Sequence, residues 1–223
     1  VNAPVSKPVT PSSPAHAAAA APTASPISSA EQTTAARVGG VLFRYRSFLP
    51  VPLVAVGLLA PGRQTPWGWT IGLALIVLGE AIRLAGVAAA GTVTRRRSRT
   101  VKSLVTHGAF AWSRNPLYNG NALIWLGFAV ATGVPWFPPL AVVLFAIEYH
   151  YIVAYEEGVL ESIFGAEYLA YKRRTPRWIP RPPLPPVAVG PLDWGEAVRS
   201  ETSTFLQYIA LAAALAIKWR ITR

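Results

Sequence analysis

The chain has 223 residues, 52% of them apolar and only 14% charged, with a net charge of +11. An aqueous domain normally carries about 25% charged residues, so these proportions exclude an ordinary soluble domain and point to a lipid environment. The absence of cysteine excludes disulfides, thiolate metal sites and a cysteine nucleophile together.

Residues 1 to about 36 are mostly Ala, Pro, Ser and Thr with almost no large apolar side chains. Such a segment cannot bury enough surface to offset its ordering entropy, so it is expected to be disordered. It has neither the apolar core of a secretory signal nor the Arg content of a mitochondrial presequence. A first apolar stretch runs from about Ser47 to Ala60, with Pro50 and Pro52 near its start. Extension back through Val41, Leu42 and Phe43, with Arg44 and Arg46 snorkelling, lengthens it toward the roughly 20 residues of a span. A second stretch, about Trp67 to Ala90, is long enough alone. It holds Glu80 and Arg83, whose i, i+3 spacing puts them on one helix face where they can neutralise each other.

A third stretch, Leu117 to Val134, and a fourth, Trp136 to Tyr155, are separated only by the Gly133-Val134-Pro135 turn. They read as an antiparallel helical hairpin whose open ends share one side of the membrane. Those ends carry two basic clusters, Arg95, Arg96, Arg97, Arg99 and Lys102, and Lys172, Arg173, Arg174, Arg177 and Arg181. Basic runs beside apolar spans are topology signals and anionic-lipid contacts rather than a nucleic-acid surface, and they place both ends in the cytoplasm. Residues 156–171 are expected to form a short amphipathic cytoplasmic helix with Leu160, Ile163 and Phe164 on one face. The stretch Pro176–Pro191 reads as an extended surface strap. A last apolar stretch, Phe205 to Ile217, is followed by Lys218, Arg220 and Arg223, which would be on the wrong side if it spanned. An interfacial or re-entrant helix fits that pattern better, with a fifth span left open. The fold expected is therefore all-α, a multi-pass bundle of four to five membrane helices with a helical hairpin. It divides into a tail at 1–36, a membrane domain at 37–181, and a strap with an apolar helix at 182–223.

Polar residues gather at the approach to the third stretch, from Leu104 to Gly120, and at the exit from the fourth, from Tyr155 to Trp178. The hairpin brings the two together at one depth. Arg114 offers a forked cation, Asn115 a neutral donor and acceptor, Tyr118 an aromatic hydroxyl, and Glu156 and Glu157 negative charge. These groups suit a zwitterionic ligand with a carboxylate, a ribose and a positive centre. Arg114 also suits a membrane-surface anchor, Asn115-Pro116 a helix cap, and the acid pair a solvated helix terminus.

The first segment resembles the Leu-Val-Thr-x-Gly-x-Tyr-x-x-x-Arg-His-Pro-x-Tyr-x-Gly signature of the isoprenylcysteine carboxyl methyltransferases and related phospholipid methyltransferases. The second, Glu156-Glu157 followed by Phe164-Gly165-Ala166-Glu167-Tyr168 and a basic Pro-containing tail, is similar to that family's acid-pair segment. The resemblance covers about residues 95–181. It implies S-adenosylmethionine bound in a cytoplasm-facing pocket and a lipidic or small apolar acceptor entering from the bilayer, with no metal. By the same resemblance Lys102, Ser103, Leu104, Val105 and Phe110 would line the cofactor pocket. Arg114, Asn115, Pro116, Leu117 and Tyr118 would stand at the Arg-His-Pro-x-Tyr positions, with Glu156 and Glu157 as the acid pair.

Three departures from the family pattern stand out. Asn115 replaces the usual His, and Lys102 stands where a cofactor-contacting His is common. The Arg that precedes the acid pair and holds the substrate carboxylate is replaced by the segment His150-Tyr151-Ile152. Glu148 and His150 are then the nearby candidates for acceptor binding. A sterol-reductase-like enzyme using NADPH, which shares an Arg-x-Pro-x-Tyr segment, and an inactive scaffold of the same fold are the rival readings. Titrating NADPH beside S-adenosylmethionine separates the first rival, and Asn115→His probes the second.

Overall fold

The computed structural model describes residues 34–91 and 103–221, and every regular element among them is a helix. In chain order these are α1 (Thr34–Tyr45), α2 (Pro50–Leu59), α3 (Pro66–Ala90), the single turn α4 (Ala109–Trp112), α5 (Pro116–Ala131), α6 (Phe137–Phe164), α7 (Ala166–Arg174) and α8 (Trp194–Ile221). Three of them, α3, α6 and α8, are long and apolar enough to cross a membrane, and α1 with α2 makes a fourth candidate as a pair bent by 61°. Pro50 and Pro52 explain that bend: each lacks an N–H and its ring clashes with the preceding helical turn. The chain is thus an integral membrane protein with a helical bundle. Large apolar side chains facing outward, such as Leu73 and Val77 on α3, Val142 and Ile147 on α6, and Leu206 and Ile209 on α8, form its lipid-facing surface.

Helix α5 has 16 residues, roughly 24 Å at about 1.5 Å per residue. It packs antiparallel against α3 along a seam of glycines spaced by seven. Gly72 and Gly79 of α3 lie against the backbone carbonyls of Gly127 and Gly120 of α5, and Gly86 lies against Leu117. A Cβ built on Gly79 would stand 2.6 Å from the Gly120 oxygen, so only hydrogen fits and the two backbones touch. In lipid, where burying apolar surface gives no advantage over the acyl chains, such backbone proximity holds helices together.

The α5–α6 turn has the expected tight form, with Gly133 at φ 68°, where a side chain would be strained. Two expectations need correction. The acid pair does not open a separate amphipathic helix: α6 continues through Glu156 and Glu157 to Phe164, and the break comes at Gly165, with φ 51°. Nor is the C-terminal apolar stretch a short re-entrant piece. Helix α8 runs for 28 residues along the bundle. At its start the Asp193 N–H donates to Ala88 at the end of α3 across 2.9 Å, and near its end Trp219 stacks on Trp69 at the beginning of α3. Of the charges that argued against a span, Lys218 is accommodated inside the protein. Lys218 Nζ donates to the Gly57 and Ala60 carbonyls, each at 2.8 Å, at the C-terminal end of α2, where the helix dipole favours a cation.

The polar pair within α3 forms as the spacing implied. Arg83 Nε donates to Glu80 at 3.2 Å, Nη2 contacts both oxygens of Glu201 on α8 at 3.0 Å, and Nη1 meets Asn121 on α5. One guanidinium therefore ties three helices together inside the bundle. The expected disordered tail and the first basic cluster, Lys102 included, lie outside the described residues except for Thr34–Ala36, which begin α1.

Candidate active site

At the end of the bundle where α5 begins and α6 leaves, the two polar segments meet. The approach segment enters through Gly108, at φ 58°, into the one-turn α4 and then Ser113–Asn115. Pro116 takes the first turn of α5, as its fixed φ and missing N–H suit it to do. Asn115 does not cap that helix with its side chain. Its Nδ2 donates to the Arg177 carbonyl at 3.0 Å, and only its backbone carbonyl receives the first α5 N–H groups.

Arg114 and Glu157 form the structural centre of this end. Arg114 donates through Nε and Nη2 to Glu157 Oε1, at 3.1 and 2.9 Å. Its Nη1 reaches the carbonyls of Lys172 and Thr175 at 3.1 and 2.7 Å, while its backbone N–H binds the Pro176 carbonyl at 2.8 Å. Arg177 donates to both oxygens of the same Glu157. The Glu157 side chain is 6% exposed, so two cations share one buried carboxylate and the segment after α7 is clamped over the start of α5. Ser113 and Asn119 extend the clamp. Ser113 Oγ donates toward the Arg177 and Trp178 carbonyls, and Asn119 Nδ2 binds Ser113 Oγ and the Trp178 carbonyl at 3.0 and 2.8 Å. Tyr171 on α7, whose phenol is pushed up by burial and so stays protonated, donates to the Phe110 carbonyl at 2.7 Å.

Glu156 has a different environment from its neighbour. Its Oε2 accepts from the Tyr118 hydroxyl at 2.8 Å, and Oε1 carries no hydrogen bond among the described residues. The Tyr118 ring packs on Tyr149, with centroids 4.7 Å apart, and lines a cavity of about 440 Å³ inside the bundle. Apolar side chains of α2, α5, α6 and α8 form most of its wall, with Arg46, Arg83, Asn121 and Gln207 among the polar contributors. Its size lies in the ~300–1,000 Å³ range of ligand sites.

The hairpin therefore unites Arg114, Asn115, Pro116, Leu117, Tyr118, Glu156 and Glu157, with Phe110 beside them. Leu104 and Val105 are half-buried on the entering segment, and Ser103 is exposed. The other two candidates sit apart. His150 is on the exposed face of α6 with its ring against Tyr151, while Glu148 is buried, keeps Oε1 unpartnered and does not line the cavity. Sequence reasoning missed the parts played by Arg177, Ser113 and Asn119: Arg177 pairs with Glu157 twenty residues away, and the other two donate to distant backbone carbonyls, contacts that leave no local pattern. It also passed over the seven-residue glycine spacing, which was legible. Among the described residues no His, Cys, Asp and Glu cluster could hold a metal ion.

The phospholipid methyltransferase family model matches residues 67–167, from α3 to the first turn of α7. The chain is 32% identical over 126 residues to a protein-S-isoprenylcysteine O-methyltransferase of Mus musculus, covering 53% of this chain and 43% of that protein. It is 33% identical over 130 residues to protein-S-isoprenylcysteine O-methyltransferase B of Arabidopsis thaliana, covering 54% of this chain and 64% of that one. The chain thus spans less than half the length of the mouse relative. A probable protein-S-isoprenylcysteine O-methyltransferase of Oryza sativa subsp. indica is 32% identical over 143 residues, which cover 60% of this chain and 73% of that protein. With that coverage, and with the matched segments forming the α5–α6 end of the bundle, the chain belongs to the isoprenylcysteine O-methyltransferase family.

Proposed function

We propose that this protein transfers a methyl group from S-adenosylmethionine to the carboxylate of a lipidic, isoprenylcysteine-like acceptor at the cytoplasmic face of the membrane. The observation that carries the reading is the Tyr118–Glu156 hydrogen bond, because it joins a polar end of the bundle to an apolar cavity among the membrane helices. The residues fit such a donor. Glu156 has one carboxylate oxygen without a hydrogen bond among the described residues, open to a ribose hydroxyl or ammonium group, and the half-buried Leu104, Val105 and Phe110 of the entering segment would supply apolar contact. Arg114 and Glu157 are consumed by protein contacts and act by holding the clamp closed. When bound, the donor supplies a methyl group on sulfonium sulfur, already activated toward attack by a carboxylate oxygen, with the sulfur keeping the electron pair of the broken bond. The chain's task is then alignment and exclusion of water, which can contribute several kcal/mol to lowering the barrier.

The orientation rests on charge. Lys172, Arg173, Arg174, Arg177 and Arg181 gather at the site end, and the positive-inside rule turns that end to the cytoplasm. The decisive experiment measures S-adenosylhomocysteine binding to the purified protein in detergent, followed by tritium transfer from labelled S-adenosylmethionine into a farnesylated cysteine. Binding and transfer support the reading. Absence of binding under all conditions removes it.

A further inference from the structure

Two cations line the cavity, Arg46 from the α1–α2 break and Arg83 from α3, and they differ in their surroundings. Arg83 is saturated. It binds Glu80, Asn121 and both oxygens of Glu201, so its guanidinium is already paired with carboxylates from two helices. Arg46 has no carboxylate partner among the described residues. Its Nη1 makes one long hydrogen bond, 3.4 Å, to the Phe43 carbonyl, and the guanidinium lies 3.8 Å from the Phe43 ring centroid. Arg46 lines the cavity together with Tyr118 and Tyr149, and Tyr118 is hydrogen-bonded to Glu156, so it sits at the end of the cavity where the two polar segments meet.

An under-satisfied guanidinium at an apolar cavity is costly unless an anion joins it. Guanidinium also matches a carboxylate in shape, through two parallel hydrogen bonds. Beyond Arg46 the cavity continues past Leu53, Val54, Phe128 and Leu211 to Leu215 near the far end of α8. An amphiphile therefore has one orientation in which its charge and its chain are both accommodated.

Resting on the proposed function, we infer that Arg46 binds the carboxylate head of the acceptor, with the acceptor's apolar chain laid along the cavity between α2, α5 and α8. This cation reaches the site from the N-terminal bent pair, whereas α6 presents His150, Tyr151 and Ile152 before its acid pair. The α1–α2 break is then what aims a charge inward from the membrane surface.

The test uses the full chain in detergent and three competitors: N-acetyl-S-farnesylcysteine, its carboxamide, and a lysophosphatidic acid. Wild-type protein is expected to bind the acid at least tenfold more tightly than the amide. Arg46→Gln should abolish that preference while amide and S-adenosylhomocysteine affinities stay within twofold, and Arg46→Lys should keep part of it. Unchanged S-adenosylhomocysteine binding shows that each variant is folded. The inference is overturned if Arg46→Gln keeps the acid-to-amide ratio, if the wild type shows no preference for the acid or binds neither farnesyl probe, or if the lysophosphatidic acid competes as well as the acid. Failure of wild-type protein to bind S-adenosylhomocysteine counts instead against the proposed function, since the acid-to-amide comparison does not require the cofactor.

Discussion

Tyr118 on α5 and Glu156 on α6 share a hydrogen bond of 2.8 Å although 38 residues separate them. Their neighbours make an unlike pair: Glu157, one residue on, is enclosed by Arg114 and Arg177. Adjacent carboxylates on one helix therefore serve two ends. One closes the protein on itself, and the other keeps an oxygen without a hydrogen bond among the described residues.

The first prediction follows from that division. Tyr118→Phe removes the hydroxyl and Glu156→Gln removes the charge, and a hydrogen bond to a charged group is worth about 1.5–3 kcal/mol. S-adenosylhomocysteine affinity should fall by roughly 10- to 150-fold in Glu156→Gln, with the thermal midpoint of the unliganded protein little changed. Isothermal titration and thermal unfolding check the two halves separately.

Glu157→Gln should show the opposite pattern. It leaves two guanidiniums facing a neutral amide in a buried site, and breaking such a pair costs about 3–5 kcal/mol. The unliganded variant should unfold at a lower temperature and be cut by trypsin near Arg173 and Arg174. A variant that keeps its stability and loses only cofactor binding would show that Glu157 is a ligand rather than part of the clamp.

The glycine seam gives a third prediction. Gly79→Val places a branched side chain where even a Cβ would stand 2.6 Å from the Gly120 oxygen, and overpacking of this kind typically costs about 1–3 kcal/mol. The contact is with backbone, which cannot rotate away, so the loss should fall at the upper end. Gly158→Val is the control, since no other packed group among the described residues lies within 4 Å of a Cβ built there.

The absence of native cysteine makes topology directly measurable. Arg63→Cys lies in the α2–α3 loop and Arg173→Cys in the last turn of α7, both exposed and at opposite ends of the bundle. In intact cells a membrane-impermeant maleimide should label the first, and the second only after permeabilisation. The reverse pattern would invert the orientation proposed above.

The hairpin and the meeting of its two polar ends were legible because both depend on local signals. A Gly-Val-Pro turn between two apolar stretches permits one arrangement, and that arrangement brings Tyr118 and Glu156 to one depth. What escaped depends on distant partners. Lys218 counted against a span because the carbonyls that receive it belong to Gly57 and Ala60, some 160 residues earlier. Arg114 looked available to a ligand because the carbonyls of Lys172 and Thr175 leave no trace in composition. The extent of α6 was misjudged for a simpler reason. The acid pair suggested a boundary, while the residue that breaks the helix is Gly165, nine positions after Glu156.

Where glycine meets glycine, α3 and α5 touch through their backbones, so these positions have no side chain of their own to re-pack when the helices slide. That side of the bundle behaves as a rigid keel. Any breathing that admits a long-tailed molecule from the bilayer is then expected at α2 and α8, which meet the cavity through flexible leucines.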